Sequence, residues 1–274
     1  MISNFLSRLA HVSLSVFLVI TAVPAPAQLQ PPYERVLVPI FIATPVPGAF
    51  GSLWATELIA RNEAASLVEV TVGLPQCVLQ PPCGYASMTT FRPEGLFRPN
   101  PNGGVFVFVG APGAGKVIFS LRVRDLSRQA LTWGTAIPVI REAQTYTSRL
   151  ELLDVPTDAR FRVALRVYDF DAPNSRSVRL RIYDVSQDNR ISGLPPQTAL
   201  VDVVLRLETP VEDVYSSIPG SAVMTDLIGA FPQLSSARIV RIVLDPVSTD
   251  LRFWAFASVT NDETQHVTAI APNK

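Results

Sequence analysis

Residues 238–259, RIVRIVLDPVSTDLRFWAFASV, read as two strands joined by a loop. Val240, Ile242 and Leu244 alternate along the first, Asp245 to Asp250 breaks the pattern, and Leu251 to Val259 resumes it around Trp254. A near copy lies upstream. Val117, Phe119, Leu121 and Val123 alternate, Asp125 to Gln129 interrupts, and Leu131 to Val139 follows around Trp133. One offset carries Val123 onto Leu244 and Trp133 onto Trp254. A repeat of two is the period of a strand, so the pair predicts two copies of one β-rich unit, each with a tryptophan filling its core.

The N-terminus sets the compartment. Arg8 precedes an uncharged apolar run from Val12 to Val23, and Ala25-Pro26-Ala27 puts small residues where a signal peptidase reads. The pattern predicts a secretory signal over residues 1–27. The apolar run is about a dozen residues, short of the ~20 that a membrane-spanning helix needs. Nothing later is long and apolar enough to span a bilayer. The expectation is a secreted protein, periplasmic or extracellular, with no transmembrane segment after processing.

The remaining 247 residues suffice for two domains, placed at 28–143 and 144–274. They hold 22 basic and 23 acidic residues, a near-neutral balance that argues against nucleic acid as a partner. Cys77 and Cys83 are the only cysteines, and in an oxidising compartment a disulfide between them is expected. Two thiols without neighbouring histidines do not complete a tetrahedral zinc shell, so no metal centre is expected.

Strand signals fill the chain. Leu53 to Ala60 and Leu67 to Leu74 read as a hairpin, as do Phe161 to Tyr168 and Ser177 to Tyr183. Val105 to Val109 and Val201 to Leu207 add further strands, and Ser221 reads as the cap of a short helix over Ala222 to Ala230. Short strands between turn signals predict an all-β fold: two tandem antiparallel β-sandwich domains, immunoglobulin-like or fibronectin-like, with a jelly roll or one large sandwich as the alternative.

VPGAFGSLWATEL at residues 46–58 and WAFASVTN at residues 254–261 resemble recurring strings in uncharacterised exported bacterial proteins. The resemblance extends over most of the mature chain and implies location and a tandem sandwich fold. It implies no catalytic residue.

Each chemical motif has a plainer structural account. Gly110 to Lys116 has P-loop spacing, but Val117 stands where Ser or Thr would hold magnesium, and a strand pattern follows instead of a helix, so it reads as a hairpin turn. No cofactor is expected. His266, the only histidine after processing, lies near Asp262 and Glu263, yet no Gly-x-Ser-x-Gly elbow supplies a nucleophile. Asp169, Asp171 and Asn174 share one turn, and Asp184, Asp188 and Asn189 another. At ~3.4 Å per residue the hairpin holds the two turns about 24 Å apart, too far to act on one glycosidic bond. Each turn alone is a candidate for weak calcium binding or for an Asx turn.

The expected function is therefore a non-enzymatic structural or binding module of the cell envelope or extracellular space. The alternative is a hydrolase of extracellular polymer using turn carboxylates and His266. In the Phe161 hairpin, alternation turns Arg160, Arg162, Arg166 and Tyr168 outward beside Arg179, Arg181 and Tyr183. Guanidinium forks suit carboxylates and sulfates, so this ribbon is the candidate site for an acidic envelope polysaccharide or another envelope protein. The plainer account pairs these arginines with Asp202 and Glu208 on the next strand.

Overall fold

Alternating apolar residues form strands through both halves of the chain, and in the computed structural model every strand pairing among the described residues is antiparallel. The structure describes residues 33–42, 44–72, 84–92, 103–171, 176–186, 198–212 and 217–272. Cys77, Cys83 and the signal segment 1–27 lie outside them. The first half contains β1 (Tyr33–Val38), β2 (Leu53–Asn62), β3 (Val68–Val72), β4 (Gly84–Tyr85), β5 (Thr90–Phe91), β6 (Val105–Gly110), β7 (Val117–Asp125) and β8 (Thr135–Ile137). The second contains β9 (Leu150–Pro156), β10 (Phe161–Asp169), β11 (Ser177–Asp184), β12 (Val201–Arg206), β13 (Gly220–Met224), β14 (Ile239–Pro246), β15 (Phe253–Asn261) and β16 (Val267–Ile270).

Both halves use one sheet order. In the first, β1-β6-β3-β4 lies in one sheet, extended beyond β1 by the two-residue strand Ile140–Arg141, and β5-β2-β7-β8 in the other, where the two-residue strand Val46–Pro47 also pairs with β2; in the second the sheets are β9-β14-β11-β12 and β13-β10-β15-β16. In each half the first strand pairs with the sixth and the second with the seventh. Immunoglobulin domains pair the first strand with the second, so the shared architecture is all-β while the order differs from that expectation.

The expected hairpins are crossovers. β2 and β3 lie in different sheets, as do β10 and β11. In the second half Val163, Leu165 and Val167 of β10 lie across one buried core from Val178, Leu180 and Ile182 of β11. Facing sheets need the same alternation as paired strands, so the pattern alone does not distinguish the two arrangements.

The internal repeat is present, one strand out of the expected register. Asn62 and Asp169 end equivalent strands, and each side chain accepts the N–H two residues on, from Ala64 at 2.8 Å and Asp171 at 2.7 Å. Opposite them stand Val117 and Phe253. The carbonyls just before these, Lys116 and Arg252, accept from Glu63 and Phe170, both at 2.8 Å. Asp125 and Asn261 end the seventh strands with the same Asx chemistry toward Ser127 and Glu263. Trp254 therefore matches Ile118, not Trp133.

This correspondence explains how the halves join. Phe253, Ala255, Ala257 and Val259 face the core of their own half, whereas Trp254 and Phe256 point the other way into the first half's core, together with Tyr168 and Phe170. The Tyr168 hydroxyl donates to the carbonyl of Pro39. A Cβ on Gly104 would stand 2.7 Å from Tyr168 Cε1, so glycine there permits the contact. In the first half the equivalent face carries Arg61, Ile118 and Ser120 and is exposed. Every described strand pairing stays on one side of residue 143, yet residues 32–274 form one compact unit because the core crosses that point.

Ion pairs reinforce the junction. Asp171 binds Arg252, with Nε 2.9 Å from both carboxylate oxygens, and also meets Arg35 at 3.4 Å and Arg176 at 3.7 Å. Glu142 accepts from Arg35 at 2.8 Å and lies 3.5 Å from Arg252. Arg35 and Glu142 belong to the first half; the others belong to the second. The helix expected from Ser221 is reduced to one turn, Leu227–Ala230, capped by Asp226 through Gly229 N–H at 2.9 Å, because Ser221 lies within β13.

Candidate functional site

The predicted ribbon does not form, because β10 and β11 belong to opposing sheets and their outer residues face opposite ways. Tyr168 is fully buried at the junction, where loss of water raises its phenol pKa. Arg166 is half-buried, and its Nε and Nη1 have no hydrogen-bond partner among the described residues. On the other sheet the cations are paired: Arg179 grips Asp202 with two 2.7 Å bonds, Arg181 and Arg149 share Asp245, and Arg241 lies 3.8 Å from Glu151 and over the Tyr183 ring at 5.1 Å. That face is an ion-paired ladder, and exposed pairs of this kind contribute little.

The other motifs resolve into structure. Residues Ala111–Lys116 form a 3-10 segment linking β6 in one sheet to β7 in the other, a crossover instead of a hairpin turn. A Cβ on its Gly113 would come 2.2 Å from Val68 Cγ2, so the loop backbone lies against β3 with no cradle for phosphate. Asp171 is occupied by arginines, which removes it as a calcium ligand. Asp184 forms an Asx turn with Ser186 N–H at 2.8 Å. Asn174, Asp188 and Asn189 lie outside the described residues. His266 is exposed, and nearby Asp262 is held by Arg162 at 2.5 Å.

A different surface carries exposed apolar and charged side chains. In the turn before β2, Gly48 N–H donates to Ser52 O at 2.8 Å, and the Ser52 N–H and hydroxyl both bond Ala49 O. A Cβ on Gly48 would stand 2.4 Å from both Ser52 Oγ and Trp54 Nε1, which requires glycine. The closed turn holds Phe50 at φ 54, ψ 34, a left-handed conformation, with the residue 68% exposed. A bulky residue in that region costs on the order of 1–2 kcal/mol, and such strain gathers at functional sites.

The loop after β7 stands beside it. Buried Asp125 accepts from Leu53 N–H at 2.9 Å, from Ser127 N–H at 3.0 Å and from the Ser127 hydroxyl at 2.6 Å, tying the two loops together. Burial works to raise this carboxyl's pKa, but those bonds and Arg128 outweigh it and hold the group below its ordinary value. Arg128 then reaches Phe50 O at 3.4 Å. Leu131 and Thr132 both bond Arg128 O, and Gly134 turns the chain into β8 at φ 90.

This loop leaves Leu131 83% and Trp133 64% exposed, so Trp133 is not a core residue. Arg124 lies 4.8 Å from the Trp133 ring centre and Arg162 lies 6.0 Å from that of Phe50. Of the predicted ligand residues, only Arg162 lies at this rim. Glycine and proline in residues 47–51 signalled the turn; nothing in the sequence signalled that Phe50 and Trp133 face water.

No protein-family model matches the chain, and comparison with curated proteins and with solved structures finds no similar protein.

Proposed function

We propose that this chain is an exported, non-enzymatic β-sandwich module that binds acidic polysaccharide through the rim of Phe50, Leu131 and Trp133. The observation that carries the reading is three large apolar side chains held in water by closed, hydrogen-bonded loops, two of them with guanidinium groups over their rings. Large apolar side chains exposed on two loops tied to each other mark a candidate interaction site. Aromatic rings accept the apolar faces of pyranose units, and Arg124 and Arg162 place positive charge beside those rings for an acidic polymer. Export rests on the signal pattern at residues 1–27 and the division at residue 143 on the repeated sheet order.

The test is retention of the full mature chain on immobilised polygalacturonate at low salt. The expected result is retention that weakens with salt and is lost in the Phe50→Ala, Trp133→Ala double variant at an unchanged unfolding midpoint. Flow-through of the parent protein, or equal retention of the variant, overturns the proposal.

A further inference from the structure

A half-open cleft of about 410 Å³ lies between the β9–β10 turn and the start of β14, lined by Asp158, Arg160, Phe161, Ser186, Arg238 and Ile239. Its floor is built from fixed backbone. Thr157 N–H bonds Arg238 O at 3.0 Å, the buried Thr157 hydroxyl bonds Ala237 O at 2.9 Å, and Ser186 Oγ accepts from Arg238 N–H at 2.9 Å and Ile239 N–H at 3.1 Å. Residues 237–239 are thus held from both neighbouring strands, and the Arg238 side chain projects from a rigid base.

The cleft has two guanidinium groups and one carboxylate. Asp158 is taken by Arg160: its Oδ1 accepts from Nε at 2.9 Å and from the backbone N–H at 3.0 Å, and its Oδ2 accepts from Nη2 at 3.2 Å. Arg160 also lies over the Phe161 ring at 5.6 Å and feels Glu263 more weakly. Arg238 is exposed and attracts Asp158 only at longer range, with no acid at ion-pair distance among the described residues. One planar fork of donors therefore remains open on the wall of a sugar-sized cleft that has an aromatic ring and the exposed Ile239 on its apolar side.

We propose that this cleft binds a single carboxylated sugar unit, with Arg238 as the carboxylate ligand and Arg160 as a second cation. That the carboxylate is carried on a sugar rests on the reading of the rim; the anion recognition by Arg238 does not. Arg160 immediately precedes β10 and stands two residues, or ~7 Å, from Arg162, so a chain seated on Phe50 reaches the cleft by way of Arg162.

The experiment follows arginine side-chain and backbone resonances of the full mature chain during titration with sodium glucuronate, glucose or sodium acetate. Glucuronate should move the Arg238 signals saturably, glucose should not, and acetate should act more weakly than glucuronate. Arg238→Gln should weaken glucuronate binding about tenfold or more, as expected for losing one charge-assisted contact, at an unchanged unfolding midpoint. Phe50→Ala, Trp133→Ala should leave it within about twofold. No glucuronate binding, equal binding of glucose, or undiminished binding by Arg238→Gln overturns the cleft. A cleft that binds glucuronate in a chain that does not bind polygalacturonate overturns the rim instead.

Discussion

Asp169 provides the sharpest physical test of the junction, since this carboxyl is 2% exposed at the end of β10. Burial pushes its pKa up, and the neighbouring Asp171 carboxylate adds to that; the Asp171 N–H at 2.7 Å, Arg176 at 3.7 Å and Arg35 pull the other way. The outcome is a pKa raised from 3.8 to about 6. Between those values the folded protein holds a proton that the unfolded chain has released, so stability falls as pH rises through the window. A shift of roughly two units corresponds to about 3 kcal/mol, fully felt above pH ~6 and absent below pH ~4. Asp169→Asn keeps an acceptor for Asp171 N–H and removes the titration. In urea unfolding from pH 4 to 8, the variant should match the parent at pH 4 and gain on it up to about 3 kcal/mol by pH 7.5. Parallel stability curves, or a variant weaker at pH 7.5, would refute the reasoning.

Trp254→Ala should cost ~3–5 kcal/mol, the usual range for emptying a large aromatic site, and should lower one cooperative transition that includes both halves; two separate transitions in calorimetry would contradict the shared core. Phe50→Asn should remove polysaccharide retention while raising stability by up to ~1 kcal/mol, because asparagine accepts the left-handed conformation at residue 50 more readily; denaturant midpoints and column retention measure the two effects. Intact mass of the exported protein should match a chain beginning at Gln28 with Cys77 and Cys83 joined, and a retained leader or two titratable thiols would contradict the respective half.

Strands were legible in the sequence because alternation along Val163, Leu165, Val167 or Val178, Leu180, Ile182 needs only one buried face. Their partners were not. Successive strands neighbour each other only about two-thirds of the time, and β2 to β3 and β10 to β11 cross between sheets. The same uniform period let the repeat slip by a strand, matching Trp133 to Trp254, where the Asx residues Asn62 with Asp169 and Asp125 with Asn261 mark the true register. One further signal is present in the sequence. Phe253 to Ala257 is continuously apolar, as for a strand buried on both faces, and that is how the two halves come to share Trp254 and Phe256. The site was less legible, because exposure of Phe50 and Trp133 depends on loop closure through Asp125 and Arg128, contacts that join residues over 70 positions apart.

The chain's three tryptophans allow the central claim to be measured directly, since Trp254 is buried, Trp54 is half-buried beneath Gly48 and Trp133 is 64% exposed. Acrylamide quenching of the mature protein therefore reports chiefly on Trp133. Saturating polygalacturonate should shield that ring and lower the quenching constant, and the effect should vanish in Trp133→Phe. Quenching that is unchanged by the polymer would contradict the assignment of the rim as a binding surface.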